Sequence, residues 1–165
     1  MNQLFEYIKR DFKINSFRSG MILCVYRITN YLHNRYNNLI GQILIKLTSV
    51  IWELAKVILN INSQISYKAI IGANIRLPHV GDGVIISSKA TIGNNVTVYH
   101  QVTIGINEFL KPEDQKITIG DNCYLSAGCK IISCTLGENV RVGPNAVVYE
   151  DMNKNSKIFV QGLIK

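Results

Sequence analysis

Apolar residues recur every three or four positions through the first sixty residues and every six positions through the remainder. The first pattern passes through Ile22, Val25, Tyr26 and Leu32, then Ile40, Ile43, Leu44, Leu47, Val50, Ile51, Leu54, Val57 and Ile58. This is the period of an amphipathic helix. Interruptions at 16–20 and 34–38 divide it into expected helices near 2–12, 20–34 and 38–59. The second pattern sets branched aliphatics at Ile65, Ile71 and Leu77, then Ile86, Ile92, Val98 and Ile104. It resumes at Ile119, Leu125 and Ile131, and again at Leu136, Val142 and Val148. Gly often follows the aliphatic, and a small or branched residue such as Ala90, Val96, Cys123, Cys129 or Ala146 stands four places on.

Self-similarity of this kind marks a parallel β-helix, in which each repeat is one short strand and a corner. The aliphatic points inward, the small residue fills the remaining space, and Gly or Asn takes the positive-φ corner. The expected fold is therefore mainly β: a helical segment over 1–60, then a β-helix over 61–165. Three interruptions stand out in the repeat. Leu77 to Ile86 gains three residues around PHVGDG, Ile104 to Ile119 gains nine within INEFLKPEDQK, and Ile131 to Leu136 loses one. Insertions in a solenoid tend to map to its binding face, so the long one is expected to project and cover a groove.

Composition narrows the class. With 47% hydrophobic residues and a net charge of +7, the chain is neither disordered nor short of core. Residues 1–60 carry eight basic against three acidic side chains. That excess permits a peripheral membrane contact through the basic N-terminal helices, while no recognition motif accompanies it to indicate nucleic acid. Cys24, Cys123, Cys129 and Cys134 form no CxxC pair, and MNQLFEYIKRDFKIN is no secretory signal, so reduced cytoplasmic thiols are expected. Cys123 and Cys129 fall on the interior position, as packed thiols. Lys46, Glu53 and Lys56 interrupt the apolar run Leu39–Leu59, which is a poor membrane span.

The segments LPHVGDGVIISSKATIGNNVTVYHQVTIG, ITIGDNCYLSAGCKII and GENVRVGPNAVV, with the helical prelude DFKINSFRSGMILCVYRITNYLHNRY, resemble the hexapeptide-repeat acyltransferases. They look most like the serine acetyltransferase branch and, within it, the small acetyltransferases of exopolysaccharide clusters such as those for colanic acid. The resemblance implies a left-handed parallel β-helix, trimeric, with acetyl-CoA in a groove between neighbouring solenoids and no metal. It implies His79, in the motif aliphatic–x–His–x–x–Gly, as the general base that takes the proton of an attacking hydroxyl. His100, about one coil further on, is expected to line the same groove. Gly105, Lys116, Ser126, Ala127 and Lys130 are the expected acetyl-CoA contacts.

Two departures bear on the acceptor. The aspartate that serine acetyltransferases place fifteen positions before the base is Gln64 here, and their loop Arg-His-Pro reads Gln115-Lys116-Ile117. Asp82 or backbone is the expected substitute for orienting the imidazole. The expectation is therefore an acetyl-CoA-dependent O-acetyltransferase acting on a sugar hydroxyl in surface polysaccharide assembly, with serine O-acetylation as the alternative. A γ-type carbonic anhydrase-like hydratase would need three convergent histidines, and the repeat region offers only His79 and His100. A non-catalytic scaffold fits poorly with irregular outward residues and a long loop.

Overall fold

The computed structural model describes residues 2–36 and 38–160. Three helices come first: α1 (Asn2–Ile14), α2 (Phe17–Arg35) and α3 (Leu39–Leu59). The expected break at 16–20 is only a single turn of cap. The Ser16 side chain accepts from Ser19 N–H at 3.3 Å, so α2 begins at Phe17. Asn38 caps α3 by accepting from Gly41 N–H at 2.9 Å, and Asn60 ends it in the left-handed region.

Short parallel strands then wind around three faces. The first face stacks β1 (Gln64–Ile65), β3 (Ile85–Ile86), β6 (Thr103–Gly105), β9 (Lys130–Ile132) and β12 (Val147–Val148). The second stacks β2 (Ile70–Ile71), β4 (Ala90–Ile92), β7 (Ile117–Ile119) and β10 (Thr135–Leu136). The third stacks β5 (Thr97–Val98), β8 (Tyr124–Leu125), β11 (Arg141–Val142) and β13 (Lys157–Ile158). On the first face Ile65 pairs with Ile86, Ile86 with Ile104, Ile104 with Ile131 and Ile131 with Val148, in steps of 21, 18, 27 and 17 residues. Eighteen is one plain coil. The other steps restate the insertions of three and nine and the deletion of one.

The expectation of a mainly β chain is corrected. The helices run 13, 19 and 21 residues, whereas each strand has only two or three, so helix outweighs strand. A corner takes few residues out of a coil, yet it leaves each face room for a strand no longer than that.

Of the two residue types expected at the corners, asparagine predominates. The positive-φ places belong to asparagines, Asn74, Asn95, Asn122, Asn139, Asn145 and Asn155 among them, rather than to the glycines that follow the aliphatics. Asn74 donates to Asn95 at 2.9 Å and Asn95 to Asn122 at 3.2 Å, a ladder along one edge. Gly72 serves a different need. A Cβ there would lie 2.6 Å from the carbonyl of Gly93 in the next coil.

The solenoid interior is closed, with Val96, Val98, Val102, Ile104, Leu125 and Ile131 fully buried. Cys123, Cys129 and Cys134 are buried among them, and burial pushes their thiols up, Cys134 to about 11 and Cys129 to about 12. Thiolates this costly to form are poor nucleophiles. The linkage has a definite sign. The unfolded chain ionises its thiols near 9.0 and the folded chain does not, so stability is full below that pH and falls as pH rises from about 9 towards 11–12. Urea midpoints taken between pH 7 and 10.5 should decline above pH 9, and Cys129→Ala should flatten part of that decline. An unchanged slope in the variant would show that Cys129 is not its source.

The helices close the open end of the solenoid. Its first coil would leave a row of carbonyls unpaired, and α2 and the turn before it supply the donors. Tyr26 Oη donates to Ala69 O at 2.9 Å, Asn30 Nδ2 to Tyr67 O at 2.8 Å, and Arg27 reaches Ile71 O and Gly72 O at 2.6 Å each. Ile22, Leu23 and Tyr26 share one core with the strands. Among the described residues, no helix is long and apolar enough to cross a membrane.

Candidate active site

The three-residue insertion before β3 folds into a tight turn over Pro78–Gly81. His79 (φ 53°) and Val80 (φ 64°) both stand in the left-handed region, and Gly81 and Gly83 follow there. A β-branched residue at such a φ is a strained one, and strain of this kind is held only where the surroundings over-determine it. Here the surroundings are identifiable. Asn15 and Ser19, at the junction of α1 and α2, grip Leu77 from both sides. Leu77 N–H donates to Asn15 Oδ1 at 2.7 Å, and Ser19 Oγ donates to Leu77 O at 2.8 Å. Val80 packs on the core, and the His79 side chain is left exposed at the surface.

The corner one coil on brings His100 to the same place. The two imidazole rings lie 5.0 Å apart, edge to face, with Tyr99 at 5.9 Å from His79 and Tyr124 at 5.3 Å from Tyr99. His100 Nδ1 is buried and has no hydrogen-bond partner in the fold. The Tyr99 hydrogen bond, then burial, raises the Tyr124 phenol, while Arg76 and Arg141 draw it down. Register puts Arg76, Thr97, Tyr124 and Arg141 in one column of the third face, so the histidine corner borders a basic, aromatic strip.

Among the described residues no carboxylate bonds to the His79 imidazole. Asp82, the expected substitute, accepts from Asn62 Nδ2 at 3.2 Å instead. Gln64 faces outward on β1 opposite Ile85, lining a groove of about 520 Å³ beneath α3 that the histidines do not line. Among the described residues, His100 and Tyr99 are in ring contact with His79.

The expected cofactor residues divide between two corners. Ser126 and Ala127 lie in the corner stacked on His100, where Gly128 N–H donates to His100 O at 3.0 Å. Lys130 folds onto that corner, its Nζ donating to Gly128 O at 2.9 Å. Gly105 and Lys116 lie at the far end of the first face, about 15 Å from His100 at the usual rise per residue. The nine-residue excursion springs from that far corner. It is tied down by Asn107 N–H to Ser133 Oγ at 2.8 Å, and by Lys89 Nζ to Pro112 O and Gln115 Oε1 at 3.2 Å each. Phe109 at its tip is fully exposed. Among the described residues no group of His, Cys, Asp and Glu could hold a metal ion.

Sequence reasoning missed Asn15, Ser19, Tyr99 and Tyr124. Asn15 and Ser19 act across about sixty residues of chain, which no local spacing reveals. Tyr99 and Tyr124 flank the inward Val98–Leu125 pair from opposite sides, two places out of register, so the repeat alone does not bring them together.

A three-faced solenoid of six-residue repeats, with one imidazole on a strained outward turn and a second on the next coil's corner, has the form of a hexapeptide-repeat transferase. Residues 116–150 match the bacterial transferase hexapeptide (six repeats) family. The chain is 35% identical over 136 residues to a serine acetyltransferase of Helicobacter pylori (strain J99), spanning 82% of this chain and 72% of that one. The crystal structure of Neisseria gonorrhoeae serine acetyltransferase in complex with serine superposes with a TM-score of 0.77 at 20% identity, over 98% of this chain and 68% of that one. A serine acetyltransferase in complex with CoA superposes at 0.64 and 22% identity, over 86% of this chain and 51% of that one. The chain belongs to the serine acetyltransferase family and is an acyltransferase.

This overturns the expected sugar O-acetyltransferase. That expectation gave two positions, Gln64 and the Gln115–Ile117 stretch, more weight than the rest of the chain. The matched relatives are serine acetyltransferases across most of this chain's length.

Proposed function

We propose that the protein transfers acetyl from acetyl-CoA to the hydroxyl of serine, with His79 as general base. The observation that carries this is the His79 imidazole, held outward by a clamped left-handed turn at the family's motif position. The serine oxygen attacks the thioester carbonyl as His79 takes its proton. The tetrahedral adduct then collapses, the C–S bond breaks, and the imidazolium returns the proton to the departing thiolate of CoA. His100, its Nδ1 unpartnered and its ring edge-to-face with His79, packs against the base and helps hold its orientation.

The coil is left-handed in this reading, residues 61–165 are the acyltransferase domain, and residues 1–60 are the helical segment that braces its first coil. The working form is a trimer. Its support is the split of candidate residues between two corners: side-by-side solenoids would bring the Gly105–Lys116 corner and the exposed loop of one copy to the histidine corner of the next. Acetyl-CoA then lies between copies, along Ser126, Ala127 and Lys130 of one and Gly105 and Lys116 of the other. A metabolite substrate and co-substrate suit a cytoplasmic enzyme.

Release of free CoA thiol should follow addition of serine to enzyme and acetyl-CoA, with O-acetylserine as the product by mass. Sugar hydroxyls should give no more than the hydrolysis background. Turnover with hexoses but none with serine would defeat the proposal.

A further inference from the structure

The third face of the solenoid dips beside the histidine corner. Arg76, Thr97 and Tyr124 stand in register on successive coils and point outward, while the neighbouring Leu77, Val98 and Leu125 fill the core. Thr97 is the short one of the three. It lies between an arginine one coil before it and a tyrosine one coil after it, each about 5 Å away along the stack. Tyr99, the next outward residue, closes the dip on the corner side, its ring 5.9 Å from that of His79 and 5.3 Å from that of Tyr124. Arg76 precedes His79 by three residues, a span of at most roughly 11 Å, so a guanidinium and an imidazole can meet over one small molecule. The fold itself does not use that guanidinium. Among the described residues the ion pairs are Arg27 with Asp11 and Lys56 with Glu53. Arg76 is exposed, and it is the backbone that ties it to the next coil, its N–H donating to Val96 O at 3.0 Å and its carbonyl accepting from Val98 N–H at 2.9 Å. Its charge reaches across the dip: the Tyr99 hydrogen bond raises the Tyr124 phenol, and Arg76 works against that rise.

We infer that Arg76 binds the carboxylate of the acceptor and so selects serine over uncharged alcohols, an inference that rests on the proposed acetylation of serine. Serine has a single carbon between its carboxylate and its hydroxymethyl group. A molecule that offers its hydroxyl to His79 therefore brings a full negative charge to the same spot, and Arg76 is the free cation there. A planar guanidinium suits that charge, because its paired N–H donors match the two carboxylate oxygens. The ammonium group is left beside the Tyr99 and Tyr124 rings, a setting that attracts a cation. The other cations are placed differently. Lys130 Nζ is bonded to Gly128 O at 2.9 Å, Arg141 has Tyr124 between it and Thr97 in the column, and Lys116 lies at the far corner. The phosphates of CoA are the other anions in the reaction. They fit less well, since the thioester end must sit at His79 and the phosphates lie a whole pantetheine arm away from it.

Steady-state kinetics of the full chain with serine and with serinamide test the assignment. Serinamide keeps the hydroxyl and the amino group and lacks the negative charge. The wild type should prefer serine by about ten- to a hundred-fold in kcat/KM, the range for a hydrogen bond to a charged group. Arg76→Met should raise KM for serine by about that factor with kcat within about two-fold, and should leave turnover of serinamide and KM for acetyl-CoA nearly unchanged. Arg76→Lys keeps the charge without the fork and should recover part of the loss. Arg141→Met should leave the serine KM as it is. A serine KM within about two-fold of wild type in Arg76→Met overturns the inference and leaves serine acetylation standing. Equal losses with serine and serinamide would make Arg76 a structural residue, and a rise confined to KM for acetyl-CoA would assign its anion to CoA; either overturns the inference. A wild type that acetylates serinamide but not serine would defeat the proposed function, and the carboxylate site with it.

Discussion

His79→Asn should lower kcat by roughly 10²–10⁴-fold, the usual contribution of a general base, while leaving the affinity for CoA nearly unchanged. Asparagine is the informative replacement because of the backbone. His79 sits at φ 53°, a conformation that asparagine adopts readily and alanine resists at a cost of about 1–2 kcal/mol. The asparagine variant therefore keeps the turn and a hydrogen-bonding group, and loses only the capacity to take a proton. His79→Ala adds a backbone effect and should be no better. The wild-type pH–rate profile is expected to carry an ascending limb that the asparagine variant lacks. His100→Ala should be milder, lowering kcat without abolishing that limb, since its imidazole acts on His79 rather than on the hydroxyl. If His79→Asn kept more than about a third of wild-type turnover and His100→Ala lost two orders of magnitude, the base would be His100. If neither variant lost activity, the general-base reading of this corner would be wrong.

What the sequence reveals depends on how locally a feature is determined. The six-residue period directly reports inward aliphatics, and the register steps of 21, 18, 27 and 17 residues follow from counting the interruptions. The helices were equally legible, and only the start of α2 needed the Ser16 cap to be placed. Corner chemistry was half legible. Either glycine or asparagine can take a positive φ, and only the coil-to-coil approach at Gly72 shows why glycine is kept for the other role. The corner shared by His79 and His100 could be anticipated from one coil's length. The sharing of candidate contacts between two far corners could not, because it depends on which face each strand joins. The choice of acceptor failed for a different reason. Two substituted positions, Gln64 and the Gln115–Ile117 stretch, were weighed above the likeness to serine acetyltransferases that runs along most of the chain.

Arg27→Met should destabilise the fold by about 3–5 kcal/mol, the range for removing one partner of a buried ion pair. Against a typical total of 5–15 kcal/mol this is a large share, and at about 2–4 °C per kcal/mol it lowers Tm by roughly 6–20 °C. The guanidinium is almost wholly buried and makes three directional contacts: Asp11 Oδ2 at 3.0 Å, and Ile71 O and Gly72 O at 2.6 Å each. It also lies 4.8 Å from the Tyr7 ring centre. Asp11 is fully buried, its carboxyl raised by burial and lowered again by Arg27, so losing the cation strands both a carboxylate and two sheet-edge carbonyls. Asp11→Asn keeps the shape and should cost less. Asp11→Leu combined with Arg27→Met should recover part of the loss, because the carboxylate is then no longer left without its cation. A double-mutant cycle in urea measures that coupling. The activity of Arg27→Met should fall at temperatures below its Tm, because α1 and α2 carry the Asn15 and Ser19 contacts that fix Leu77 beside His79. That loss should appear in kcat, not in CoA affinity. Arg27→Met within about 1 kcal/mol of wild type would show that the helices do not depend on this strut. Lost stability with undiminished kcat would show that the turn holds His79 without them.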